Sequence, residues 1–165
     1  MNYVIYRDAF TATQVVKETC ITKGLVSRYL RFMKASHLLI KSGNVYHPLN
    51  SARINAIRVL MNLENIKIDS LDLGWVKGMG VFGSWAAGTN TYESDFDSWV
   101  LVEAYPSEFE LAQLQKDLRL MTGAEVNMIV LTRGKLEDLK ATDPPFYNSL
   151  VRRSLVLKGE SLEKY

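Results

Sequence analysis

An α/β (α+β) chain in two units, a small helical unit with a hairpin followed by a mixed sheet flanked by helices, is what this sequence predicts, and three observations predict it. Charge divides the chain: residues 1–66 hold nine Lys and Arg against three Asp and Glu, whereas residues 67–165 hold eleven against fifteen. Apolar patterning divides it at the same place, with helical steps and one β-rich pair of runs before it and alternating strand and helix patterns after it. Residues 81–103 form a short apolar run, a polar turn-rich crossing and a second apolar run that opens on Asp95-Phe96-Asp97. The second unit is organised around that stretch.

Composition sets limits on what the chain can do. Its 165 residues suit one ordinary domain or two small ones, and 47% hydrophobic with 23% charged residues is the profile of a globular protein. No apolar run approaches the ~18 residues of a membrane span, and the first residues lack the basic-then-apolar pattern of a signal peptide. A cytoplasmic protein with no membrane partner is therefore expected. The single Cys20 excludes an internal disulfide and a cysteine-based zinc cluster. Beside Ile21 at an apolar helix end, it is expected to pack. Residues 19–63 contain no Asp or Glu, so the first unit, taken as residues 1–66, is expected to meet a polyanion.

In chain order, residues 2–7 read as the end of a first helix. Thr11 and Gln14 form a capping box ahead of Val15 and Val16, in a helix that runs to about residue 19. After a tight turn Thr22 can cap a second helix over residues 23–34, with Leu25, Val26, Tyr29, Leu30 and Met33 at three- and four-residue steps. Its other face carries Lys23, Ser27, Arg28, Arg31 and Lys34. Residues 38–40 and 45–47 are β-rich runs about Lys41-Ser42-Gly43-Asn44, a small hairpin or wing. Two short capped helices, the second basic, and a wing resemble the winged helix-turn-helix of prokaryotic DNA-binding regulators. That resemblance implies double-stranded DNA as a partner, with Thr22, Lys23, Ser27, Arg28 and Arg31 at the major groove and Lys41 near backbone. Such regulators commonly pair on palindromic half-sites, so a homodimer is an expectation. Winged helices also serve as protein–protein modules, and that alternative stays open. His37 and His47 read as structural. A longer helix from residue 50 or 51 to about residue 64 carries Ala52, Ala56, Ile57, Leu60 and Met61 on one stripe, leaves Arg53 and Arg58 exposed, and bridges the units.

In the second unit, residues 67–165, a strand from residue 95 puts Asp95 and Asp97 on one face and Phe96, Ser98 and Val100 on the other. Two convergent carboxylates are the minimum protein contribution to a divalent metal that also takes oxygens from a nucleotide phosphate. Upstream, Gly83-Ser84 at a strand-to-helix turn allows backbone to approach a phosphate closely. Ser107 and Glu110 form a capping box for a helix stopped by Gly123, residues 125–131 form a strand, Asp143 caps a last helix, and residues 154–157 form a final strand. Trp85, Tyr92 and Trp99 flank the pocket and could stack on a base, although aromatics beside a sheet more often belong to the core.

Gly83-Ser84, ten intervening residues and then Asp95-Phe96-Asp97 resemble the signature of nucleotidyltransferases of the DNA polymerase beta superfamily, above all their minimal single-domain members. Joined to a winged helix, the whole chain resembles a fusion family of archaea. The resemblance implies Mg²⁺ (or Mn²⁺) on Asp95 and Asp97, a nucleoside triphosphate, most simply ATP, at Gly83 and Ser84, and transfer of the nucleoside monophosphate to a hydroxyl of a protein or small molecule. In minimal relatives paired with a small helical toxin-like partner, in toxin-antitoxin systems, it implies AMP passed to a tyrosine. Active relatives carry a third acidic residue at the position that falls on Asn127, which can offer a carbonyl oxygen but neither charge nor a base. Glu125, one pleat away, could substitute only if it turned inward. The alternative is a DNA-binding regulator, or an antitoxin-like protein, whose nucleotidyltransferase domain binds nucleotide or partner with little catalysis.

Overall fold

The computed structural model describes residues 2–165. Its first unit runs α1 (Asn2–Ile5), β1 (Phe10–Thr11), α2 (Ala12–Thr19), α3 (Lys23–Ala35), β2 (Leu39–Ser42), β3 (Val45–Pro48) and α4 (Ala52–Asn65). Thr11 caps α2 in the expected box, its hydroxyl accepting from Gln14 N at 3.2 Å while Gln14 Oε1 accepts from Thr11 N at 2.7 Å. The strands pair antiparallel in the order β1-β3-β2. Phe10, Leu30, Met33, Leu39 and Ile54 make the buried centre. His47 takes a structural place, its Nδ1 standing 3.0 Å from the Asp8 carbonyl.

Four expectations for this unit need correction. Cys20 does not pack: it ends α2 in the left-handed conformation, φ 56°, and is exposed. Leu25 is exposed along with Phe32, because the buried side of α3 is the narrower Val26, Leu30 and Met33 stripe. Thr22 makes no side-chain cap to α3. The stripe assigned to α4 holds only in part: Ile57 and Met61 pack against the core, but Ala52, Ala56 and Leu60 are exposed, while Ile54 and Asn62 are buried and Arg58 is half-buried. This helix packs on two bodies at once, the core of its own unit through Ile54 and the second unit through Asn62, so no single apolar stripe describes it.

The second unit runs β4 (Val76–Val81), α5 (Gly83–Ala87), β5 (Phe96–Val102), α6 (Glu108–Thr122), β6 (Val126–Leu131), α7 (Arg133–Thr142), α8 (Pro144–Arg153) and β7 (Leu155–Gly159). The sheet order is β6-β5-β4-β7, with β5 and β6 parallel and the other pairs antiparallel. Period-two alternation along β5 sends Phe96 and Val100 into a core with Trp85 of α5 and Leu114 and Leu118 of α6. It sends Trp99 and Leu101 into a second core with Leu136 of α7 and Leu150 of α8. Each buried leucine contributes about 1.5–3 kcal/mol over an exposed one, so helices on both faces pin the sheet. The Ser107–Glu110 box is formed, and the Ser107 hydroxyl and amide hold the Glu110 carboxyl below its ordinary range. Among the described residues no helix is long and apolar enough to cross a membrane.

Candidate functional site

The site forms where β4 ends and β5 and β6 begin. Asp97 lies opposite Asn127 across the parallel β5–β6 pair, and Asp95 sits two residues earlier on the same face. The Asn127 amide gathers both acids: its Nδ2 stands 3.3 Å from Asp95 Oδ2 and 3.2 Å from Asp97 Oδ1. Behind them Ser98 is fully buried, and its hydroxyl donates to the Asn127 carbonyl at 3.4 Å, tying the two strands at this level.

The Gly83 corner closes on the same point. Phe82 N donates to the Asp97 carbonyl at 3.0 Å. Gly83 follows with φ 65°, and a Cβ placed there would stand 2.6 Å from Asp97 Oδ2. Glycine is therefore required twice over, for the left-handed backbone and for the space the carboxylate fills. α5 starts at this residue with no side-chain cap, and Ser84 is half-buried beside it. Gly83, Asp95 and Asn127 are exposed and Asp97 half-buried, so the group opens to solvent.

Among the described residues neither aspartate enters an ion pair, and no cluster of three or more His, Cys, Asp or Glu side chains assembles. Glu125 does not turn inward: its carboxylate pairs with Arg119 of α6. The donor set is thus two carboxylates and one amide. Which end of an amide faces its neighbours is an assignment made from hydrogen bonds, and half a turn of the Asn127 amide presents its oxygen instead. Two carboxylates, a carbonyl oxygen and a glycine cradle fit a hard divalent ion that completes its shell with water and phosphate oxygens.

Trp85 and Trp99 are core residues, whereas Tyr92 is exposed. The groups expected to meet DNA lie away from this corner, on the first unit. Arg28 and Arg31 are exposed on α3, Lys23 and Thr22 are exposed at its start and Ser27 is half-buried. Lys41 is on the hairpin, its Nζ 5.4 Å from the Tyr46 ring centroid.

Sequence reasoning missed a polar set behind the corner. Asn62 and Asn90 are buried and bonded to one another, Asn62 Nδ2 to Asn90 Oδ1 at 3.0 Å and Asn90 Nδ2 to Asn62 Oδ1 at 3.2 Å. Arg58 Nε donates to the Ile5 carbonyl at 2.7 Å. Burial lowers the Arg58 pKa against the opposing pull of Tyr6 and Asp8, and burial raises that of Tyr6 against the pull of Arg58. The available signal was the spacing of Asn55, Arg58 and Asn62, a polar stripe at helical steps.

The family model for the nucleotidyltransferase domain matches residues 64–156. No curated protein matches the chain. Among solved structures it is similar to a toxin-antitoxin with AMP-PNP, at 18% identity over 66% of this chain and 77% of that one, TM-score 0.41. It is similar to a chain of the tri-AMPylated Shewanella oneidensis HEPN toxin in complex with MNT antitoxin, at 13% identity over 64% and 73%, TM-score 0.37. A third is a protein of Sulfolobus solfataricus bearing a nucleotidyltransferase name, at 17% identity over 69% and 98%, TM-score 0.35.

Proposed function

Because this chain belongs to the nucleotidyltransferase domain family, we propose that it transfers a nucleoside monophosphate from a nucleoside triphosphate to a hydroxyl, at Gly83, Ser84, Asp95, Asp97 and Asn127. The observation that carries this is the convergence of the two carboxylates and the Asn127 amide on the glycine corner. In the reaction the acceptor oxygen attacks the α-phosphorus, the bond to the bridging oxygen breaks, and pyrophosphate leaves. Asp95 and Asp97 would hold Mg²⁺ or Mn²⁺, which neutralises phosphate charge when bound. The open corner at Gly83 and Ser84 admits the triphosphate, with backbone rather than side chains lining its near wall.

Asn127 weakens one step. It cannot take the proton from the attacking hydroxyl, and Glu125 is engaged by Arg119, so the proton would pass to Asp95, Asp97 or solvent water at the open corner. Slow turnover is accordingly the expected result. Asn127→Asp is expected to raise it roughly tenfold or more, within the range a positioned general base supplies; no gain would show that the third carboxylate is not what limits the rate. The direct test is transfer of label from α-labelled ATP to a co-purified partner with Mg²⁺ or Mn²⁺, and wild type that transfers none overturns the enzyme. We place the acceptor, on resemblance alone, on a tyrosine of a small helical toxin-like protein.

The first unit, in this proposal, is a winged helix-turn-helix that holds double-stranded DNA. Exposed Arg28 and Arg31 on α3, in a stretch without a single acid from residue 19 to residue 63, favour it. Arg28→Ala and Arg31→Ala are each expected to weaken DNA binding by about 1–3 kcal/mol where they reach base edges, and affinity should drop steeply with salt. Binding that ignores salt in a fragment selection would contradict this.

A further inference from the structure

α5 carries the glycine corner, yet at five residues it is far too short to hold itself as a helix. Its direction is set by whatever grips it. In front, Gly83 lies against the Asp97 carboxylate. Behind, Trp85 and Ala86 anchor it in the second unit's own core, and a further grip comes from the other unit: three residues of α4, Asn55, Arg58 and Asn62, fall on one face at steps of three and four. Asn62 Nδ2 donates to the Trp85 carbonyl at 2.8 Å, Arg58 Nη1 reaches the Gly88 carbonyl at 3.5 Å, and the Asn55 carbonyl packs where a Cβ on Gly88 would stand. Asn62 also bonds Asn90 in the crossing between the corner and Asp95, and its Oδ1 accepts from the Tyr6 hydroxyl at 2.8 Å. Every polar atom of the Asn62 side chain is thus committed, with both donors aimed at the segment that joins the phosphate corner to the metal carboxylates.

We infer that Asn62 is a positioning residue for the nucleotide site: it holds α5 and residues 88–94 so that Gly83 and Ser84 face Asp97, and the first unit thereby supplies part of the second unit's site. This rests on the nucleotide reading of the corner given above. A buried amide that donates to the backbone carbonyl of Trp85 and to the buried Asn90 side chain leaves little room for a substitute of different chemistry. Alanine leaves the Trp85 carbonyl and Asn90 without their donor and lets the short helix turn. Aspartate, of the same shape, presents acceptor to acceptor until it is protonated.

The test uses the full chain, with binding of Mg²⁺·AMP-PNP followed by calorimetry, Gly83 and Ser84 amide resonances recorded without ligand, and melting by circular dichroism for each variant. Asn62→Ala is expected to weaken nucleotide binding roughly tenfold or more and to move both resonances in a chain that still melts cooperatively. Asn62→Asp should regain affinity as pH falls and the introduced carboxyl takes up a proton, a recovery that general loosening would not produce. Tyr6→Phe, which removes a bond to Asn62 that does not touch α5, should move neither readout. Asn62→Ala with unchanged resonances and affinity, or Tyr6→Phe equal to it in both, overturns the inference. Should wild type bind no AMP-PNP, the nucleotide reading fails, and the resonances alone then decide: shifted by Asn62→Ala they support the positioning role, and unshifted they refute it.

Discussion

Asp97→Ala is expected to remove label transfer from α-labelled ATP, by roughly 10³-fold or more, and Asp95→Ala to do nearly the same. An ion at a phosphoryl oxygen supplies several kcal/mol of charge stabilisation, and about 1.4 kcal/mol corresponds to a factor of ten. The site has no reserve to absorb the loss. Its third member is an amide, Glu125 is paired with Arg119, and among the described residues no cluster of three acidic or other metal-binding side chains stands nearby. Asp95 is exposed and Asp97 half-buried, and among the described residues neither carries an ion pair, so their removal should change stability by no more than about 0.5 kcal/mol. Loss of transfer in a chain that melts like wild type is the expected pair of results. Transfer retained at wild-type rate in either variant would remove that carboxylate from the chemistry.

Gly88→Ala is expected to lower stability strongly. Gly88 stands at φ 67°, where a residue with a Cβ costs about 1–2 kcal/mol. The added carbon would also run into the Asn55 carbonyl, which belongs to the backbone of α4 and cannot swing aside. Relief requires α4 and α5 to part, which strains the Asn62 and Arg58 bonds together. A loss of about 3 kcal/mol or more follows, lowering the melting temperature by about 6–12 °C for a chain of this size, measured by circular dichroism. Gly43 is the comparison: it has φ 57° with nothing within 4 Å of an added Cβ, so alanine there should cost only the backbone term. Equal shifts for the two variants would show that the α4–α5 contact bears no load.

Parts of this architecture were legible because the signal is local. Alternation along residues 95–101 places both acids on one face whatever the rest of the chain does, and the capping boxes at Thr11 and Ser107 name their own helix starts. The glycine corner was legible through its spacing to the acids. α7 was not: Arg133–Thr142 holds Gly134 and only Leu136 and Leu139 as large apolar residues, too thin a pattern to stand out, although Thr132 caps it. β1 has two residues and no pattern at all. Asn62 does not stand out in the sequence, because an asparagine inside a helix ordinarily faces water. The polar steps at Asn55, Arg58 and Asn62 mark a face of α4, but its burial depends on Asn90 and Trp85, distant in sequence, and on α4 lying between two cores. Leu25 and Phe32 show the converse, since apolar residues at helical steps are buried only where another element arrives to cover them.

A nucleoside triphosphate and a divalent ion are proposed to meet between Gly83 and the Asp95–Asp97 pair. Calorimetric titration of the wild-type chain and of the double variant Asp95→Ala/Asp97→Ala with AMP-PNP, with Mg²⁺ and then with excess chelator, tests this most directly. The expected result is one nucleotide bound per chain with Mg²⁺, and binding lost both on chelation and in the double variant. Binding that is absent in wild type, or that survives without the ion and without both carboxylates, would contradict it.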